Sequence, residues 1–194
     1  MSHRSLALLI VIATVATLLW RHELFTVQRP GERPRDLAAI EASRRDAAQF
    51  DAVLPAVPIG MLRLRADQGA TLIYYWAPWQ QGAYAQAFTL DSLRRQPGLE
   101  GLRIVVVCFD PFPSVARYVA RRRLTLPVVL DTRGDLRAQL PCPSIPYTYV
   151  LDASGRIAVA QPGRVEWLSR GTRRALEHVA AEPRVRTRTP AEAT

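Results

Sequence analysis

The apolar positions of this chain fall into two textures. Short unbroken runs rich in β-branched and aromatic residues alternate with stretches whose apolar residues recur every three or four positions. "TLIYYW" (Thr71–Trp76) is the first such run in the middle of the chain and predicts a strand; Met61–Arg65 predicts another just before it. "LRIVVVCF" (Leu102–Phe109) is continuous and β-branched, the pattern of a parallel strand buried on both faces. "LPVVLD" and "YTYVLD" predict two more strands, and "ASGR" turns the second into "IAVAQPG" as a hairpin. A helix is expected after the corner, from about Gln81 to Arg95 and stopped by Pro97–Gly98. Another is expected over Pro113–Arg123, with Val115, Tyr118 and Val119 on one side, and a closing one over Glu166–Ala181, with Asp135–Leu140 a helical turn. Asp36–Phe50 also has Leu37, Ile40, Ala47 and Phe50 near helical spacing, with Asp36 placed to cap. It is expected to be a helix that ends before Pro55 and Pro58.

The ends have a different texture. Ser5–Trp20 is uncharged and bracketed by Arg4 and Arg21. As a helix it would rise roughly 24 Å, short of a bilayer core of about 30 Å, with arginine snorkelling, Trp20 and Leu24–Phe25 extending it. We read it as an uncleaved signal anchor; a cleaved signal peptide would have to use the poor site Thr14-Val15-Ala16. The absence of a polar face argues against a buried core helix. "TVQRPGERPR" (26–35) is a Pro/Gly/Arg linker, and the tail after Ala181 has no apolar period and is expected to be disordered. The expected organisation is an anchor over 1–25, a linker and helix over 26–57, one α/β domain over 58–181 and a tail over 182–194.

Composition changes this picture in one respect. The 194 residues carry a formal charge of +9, and all 26 basic residues other than histidine are arginine, with neither lysine nor asparagine present. The arginines are scattered and not interleaved with aromatics as a single-strand platform requires, so a solvated or lipid-facing basic surface is expected and nucleic acid is not. The two cysteines, Cys108 and Cys142, form no CxxC, and His3, His22 and His178 lie away from them. No zinc site can be assembled from these spacings, and neither a metal nor a cofactor is expected.

Strand, corner and helix, buried strand, helix, hairpin and closing helix is the order of the thioredoxin fold. "YYWAPW" resembles the Phe-Trp-Ala-x-Trp corner of the membrane-tethered TlpA/ResA-like thioredoxins, and "SIPYTYVLDASGRIAV" resembles their x-Pro-Thr-Thr-Phe-x-Ile-Asp-x-x-Gly-Arg-Ile segment. The resemblance covers roughly residues 58–180. It implies a central mixed sheet flanked by helices, with Pro146 as the cis-proline opposite the corner. There the backbone before Pro146 would meet an incoming extended chain as an added strand.

The chemistry does not carry over with the pattern. The two cysteines of the family's CxxC correspond to Gln80 and Ala83, in the sequence Gln80-Gln81-Gly82-Ala83. A thiolate attacks a disulfide and a second thiol releases the mixed intermediate, so neither step is available here. The carboxylate that some members carry three residues later corresponds to Gln86, and the helix-kinking proline to Phe88. Trp76, Trp79, Gln80 and Ala83 therefore form a vestigial redox corner. The expected function is binding of exported or membrane-assembly client proteins through Trp79, Ile145 and Pro146, with the anchor in the inner membrane. Arg21, Arg29, Arg33 and Arg35 after the apolar run count toward a cytoplasmic domain. The short N-terminal tail and the family resemblance place the domain in the periplasm instead. Two rival readings stand beside this one: a weak oxidoreductase using Cys142 alone, and a structural subunit that docks through the Asp36–Phe50 helix.

Overall fold

A computed structural model describes residues 26–27 and 33–183. The expected anchor over 1–25 and the tail beyond 183 lie outside the described residues. Among the described residues no helix is long and apolar enough to cross a membrane.

The strands are β1 (Thr26–Val27), β2 (Asp51–Val57), β3 (Gly60–Arg65), β4 (Thr71–Tyr75), β5 (Arg103–Cys108), β6 (Val128–Leu130), β7 (Ser144–Ile145), β8 (Tyr147–Leu151) and β9 (Ile157–Pro162). The helices are α1 (Ala83–Leu93), α2 (Phe112–Arg122) and α3 (Arg170–Ala181). Seven strands form one mixed sheet in the order β3-β2-β6-β5-β4-β8-β9. β4, β5 and β6 run parallel, while β8 is antiparallel to β4 and β9 to β8. The continuous apolar run of β5 is explained by its place: it has a strand on each side and a packed layer on each face.

Alternation along the strands divides the core in two. Leu72, Tyr74, Ile104, Val106 and Val150 face a layer built by Leu90 and Leu93 of α1, Val115 and Val119 of α2, and Leu176 and Val179 of α3. Ile73, Tyr75, Val105, Val107 and Leu151 face the other side, where Phe50, Leu136, Leu140 and Cys142 from non-helical segments cover the sheet. All three helices thus lie on one face.

The helix expected over Asp36–Phe50 does not form. Apart from a 3-10 turn at Ala42–Arg44 the segment is an irregular strap laid over the β8–β9 end of the sheet. Its backbone partners are tertiary: Ile40 N–H donates to Ala158 O at 2.7 Å, Ile157 N–H to Asp46 O at 2.8 Å and Ala48 N–H to Gly155 O at 2.9 Å. Leu37 enters the helix-side core and Phe50 the opposite one, two faces that no single helical stripe could reach. Asp36 does not cap a helix of its own. Its carboxylate lies against Gly171 at the start of α3, where a Cβ would collide with Asp36 Oδ2. The strap is pinned by Arg45, a buried guanidinium paired with Asp152 at 3.2 Å and bidentately with Glu182.

β2, running into Pro58, is the other element that the pattern concealed, and with it the sheet begins before residue 58. Ala52, Leu54 and Ala56 alternate inward, while Pro55 lies opposite Met61 of β3. On its other side β2 pairs with β6 only at Ala56 and Val57, so the missing N–H of Pro55 interrupts no ladder there.

Candidate functional site

Register brings the two sequence motifs to one end of the sheet. Tyr75 of β4 pairs with Tyr147 of β8, so Trp76 and Pro146, the next residues outward, leave the sheet side by side. The Ile145–Pro146 bond is cis, as the resemblance implies, and so is Val57–Pro58.

The corner is held by buried contacts. Trp76 is fully buried, its indole N–H donates to Ala83 O at 3.0 Å, and Tyr118 of α2 meets it edge-on at 5.2 Å. Trp79 is the opposite, 59% exposed. Beyond Trp79 the chain turns through Gly82, whose φ of +75° only glycine adopts readily, and α1 begins without a side-chain cap. Gln80 is half-buried and its Oε1 is buried without a partner. Ala83 is buried, its methyl group in the helix-side core.

Gln86 ties the corner helix to a distant stretch of chain. Its Nε2 donates to Val165 O at 3.1 Å and its Oε1 accepts from Val165 N–H at 3.2 Å, so the side chain completes the hydrogen bonding of one peptide residue from both sides. Tyr74 Oη donates to the same Oε1 at 3.4 Å. A carboxylate could accept but not donate, whereas an amide does both. A position expected to have lost a proton relay is here a structural clamp between α1 and the chain that leads into α3. The sequence gives no sign of Val165 as its partner.

Neither cysteine is placed for thiol chemistry. Cys108 ends β5 with no exposure, and burial pushes its thiol up to about 12. Cys142 lies on the other face of the sheet, its Sγ donating to Ser144 O at 3.0 Å, and burial again pushes the thiol up to about 12. Both are free. The candidate monothiol at Cys142 thus has neither the exposure nor the lowered pKa a nucleophile needs. Its loop is tied to the sheet by two phenols, Tyr75 Oη to Leu140 O at 2.7 Å and Tyr149 Oη to Pro141 O at 2.6 Å.

Ile145 and Pro146 are buried side chains, so what they offer a partner is backbone. The strand they border is already used in that way. β7 lies outside the seven-stranded sheet and pairs with β1 in parallel, Thr26 opposite Ser144 and Val27 opposite Ile145. Nothing in a two-residue "TV" announces this pairing. Among the described residues no cluster of three or more His, Cys, Asp or Glu could hold a metal ion.

No protein-family profile matches the chain, and no curated protein does either. Solved structures do. The exposed lipoprotein thioredoxin of Streptococcus pneumoniae matches at TM-score 0.58 and 19% identity, over 66% of this chain and 99% of that one. StoA from Bacillus subtilis matches at TM-score 0.56 and 18% identity, over 69% and 98%. A thiol:disulfide interchange protein of the thioredoxin family from Chlorobium tepidum matches at TM-score 0.55 and 18% identity, over 77% and 98%. The likeness is one of fold, and the fold is thioredoxin-like.

Proposed function

We propose that this chain is a membrane-tethered, thioredoxin-fold binding protein. Its corner and the edge before Pro146 capture extended segments of exported or membrane-assembly proteins at the periplasmic face of the inner membrane. The observation that carries this reading is that β7 accepts an extended segment, here the chain's own Thr26–Val27, which a client would displace, beside an exposed tryptophan at a corner without a thiol. Backbone pairing supplies affinity without sequence demands, and an exposed aromatic next to it supplies an anchor. The Ser5–Trp20 run supports the tether. The two rival readings draw less support: Cys142 is buried, and the segment expected as a docking helix is a strap.

The test uses the full chain in detergent and a fluorescent, carboxymethylated α-lactalbumin, which stays unfolded and has no reactive thiol. Binding is expected by anisotropy. Trp79→Ala should weaken it about tenfold, as loss of an interfacial aromatic anchor does, and Gln80→Ala by less than about twofold. Unchanged affinity in Trp79→Ala would remove the corner from the binding surface.

A further inference from the structure

We propose that the outer face of α1 and α2 is a second surface, which rests on an anionic lipid bilayer. Three observations point to it. The first is aromatic. Tyr84 and Phe88, one turn apart on α1, are exposed and lie against each other with centroids 5.7 Å apart, and Phe112 at the start of α2 is 58% exposed. The second is cationic. Arg122 of α2 lies over the Tyr84 ring at 4.8 Å and near Tyr118 at 5.9 Å, joining the two helices into one patch, with Arg121 and Arg123 beside it in the chain. The third concerns what is missing from these stretches. Residues 83–95 and 112–123 contain six arginines and one acid, Asp91, which is buried and engaged by Arg94 at 3.4 Å and Arg95 at 3.2 Å. These two stretches therefore present positive charge and rings with no exposed carboxylate of their own.

Aromatic rings and arginines together suit the boundary between lipid headgroups and acyl chains, where rings sit at the interface and cations meet anionic headgroups. The choice of a bilayer over a soluble acidic protein rests on the tether reading. Trp20 closes the uncharged run, and Thr26 is already at the corner end of the sheet, where α1 starts. Six residue steps reach at most about 20 Å. A domain held this close to a membrane by its corner end brings the start of α1, with Tyr84, near the headgroups.

The test again uses the full chain, now in vesicles of phosphatidylcholine alone or with 30% phosphatidylglycerol. An environment-sensitive fluorophore is placed at Ala85→Cys, on α1 beside the patch, or at Ala138→Cys, on the segment covering the opposite face. Doxyl-labelled lipids serve as quenchers. In anionic vesicles the label at 85 should shift to the blue and be quenched at least twofold more than the label at 138. The excess should vanish in neutral vesicles, in 0.5 M salt and in the Arg121→Glu/Arg122→Glu variant. Equal quenching at 85 and 138 in anionic vesicles would overturn the proposal. So would retention on an acidic polypeptide matrix without any lipid quenching. Flotation on neutral vesicles reports the tether separately: a chain that fails to float there refutes the tether, while excess quenching at 85 in anionic vesicles would still support the face.

Discussion

Replacing Gln86 by glutamate exchanges a single NH₂ for oxygen in a side chain that is buried and bonded from both ends. The acceptor half survives, since the Val165 N–H still meets an oxygen. The donor half is lost, and Val165 O is left facing a second acceptor. An unpaired buried polar group costs about 1–3 kcal/mol, and a charge brought into the same place adds to it. We expect a loss of about 2–3 kcal/mol at pH 8, a fall in Tm of about 4–12 °C for a domain of this size. The pH dependence has a definite sign. Burial favours the neutral carboxyl, so the folded pKa of the introduced glutamate lies above its unfolded value of about 4.3. A raised folded pKa gives stability that is present in full below the unfolded value and lost as pH rises through the folded one. The protonated acid also donates to Val165 O again. The gap between Gln86→Glu and the parent should therefore be narrow at pH 5 and wide at pH 8 in thermal melts followed by circular dichroism. A variant as stable as the parent at pH 8, or a gap that does not change with pH, would refute the clamp.

Four further outcomes follow from the same contacts. Arg45→Met should lower stability by about 3 kcal/mol, because Asp152 and Glu182 lose a buried partner while Arg156 still holds Asp152; a lower urea midpoint at unchanged slope is the readout. Burial raises the pKa of Asp152, but this is outweighed by hydrogen bonds from the Arg156 and Ser154 amides and from Arg45, so the net shift is downward. Its contribution is present above the unfolded value near 3.8 and lost as pH falls through the lower folded one, which an acid titration of the fold will register. Cys108 and Cys142 should resist a thiol reagent at pH 8 in the native protein and titrate as two thiols after unfolding, with no acceleration of insulin reduction by dithiothreitol. An alkaline phosphatase fusion after Thr194 should be active in cells if the domain is exported; an inactive one would move it to the cytoplasm.

Legibility in the sequence followed the range of the forces involved. β4, β5 and β8 could be read because burial on both faces writes itself as an apolar run, and α2 and α3 because their stripes face one core. α1, which buries Gln86 and Asp91 and exposes Tyr84 and Phe88, carries no such stripe and was placed by the corner before it and Pro97–Gly98 after it. The strap could not, because Leu37, Ile40, Ala47 and Phe50 have helical spacing by coincidence while their segment's backbone bonds to residues more than a hundred positions away. β2 was hidden by Pro55, harmless because the pairing with β6 on that side is confined to Ala56 and Val57. At the corner, Trp79 and the absence of cysteine from Gln80-Gln81-Gly82-Ala83 were visible as residue identities. The Gln86 clamp and the β1–β7 pairing depend on partners that no local pattern names.

The strap also sets an order of assembly. Leu37 N–H donates to Thr172, the Ala38 amide to Gln161, and the Arg45 guanidinium closes on Glu182, contacts that span 135, 123 and 137 positions of the chain. A ribosome makes residues 36–45 before any of the sheet strands from β2 onward, yet their partners on β9 and α3 arrive among the last. Whatever the emerging chain folds early, this stretch waits, and a product that stops short of Glu182 never completes it.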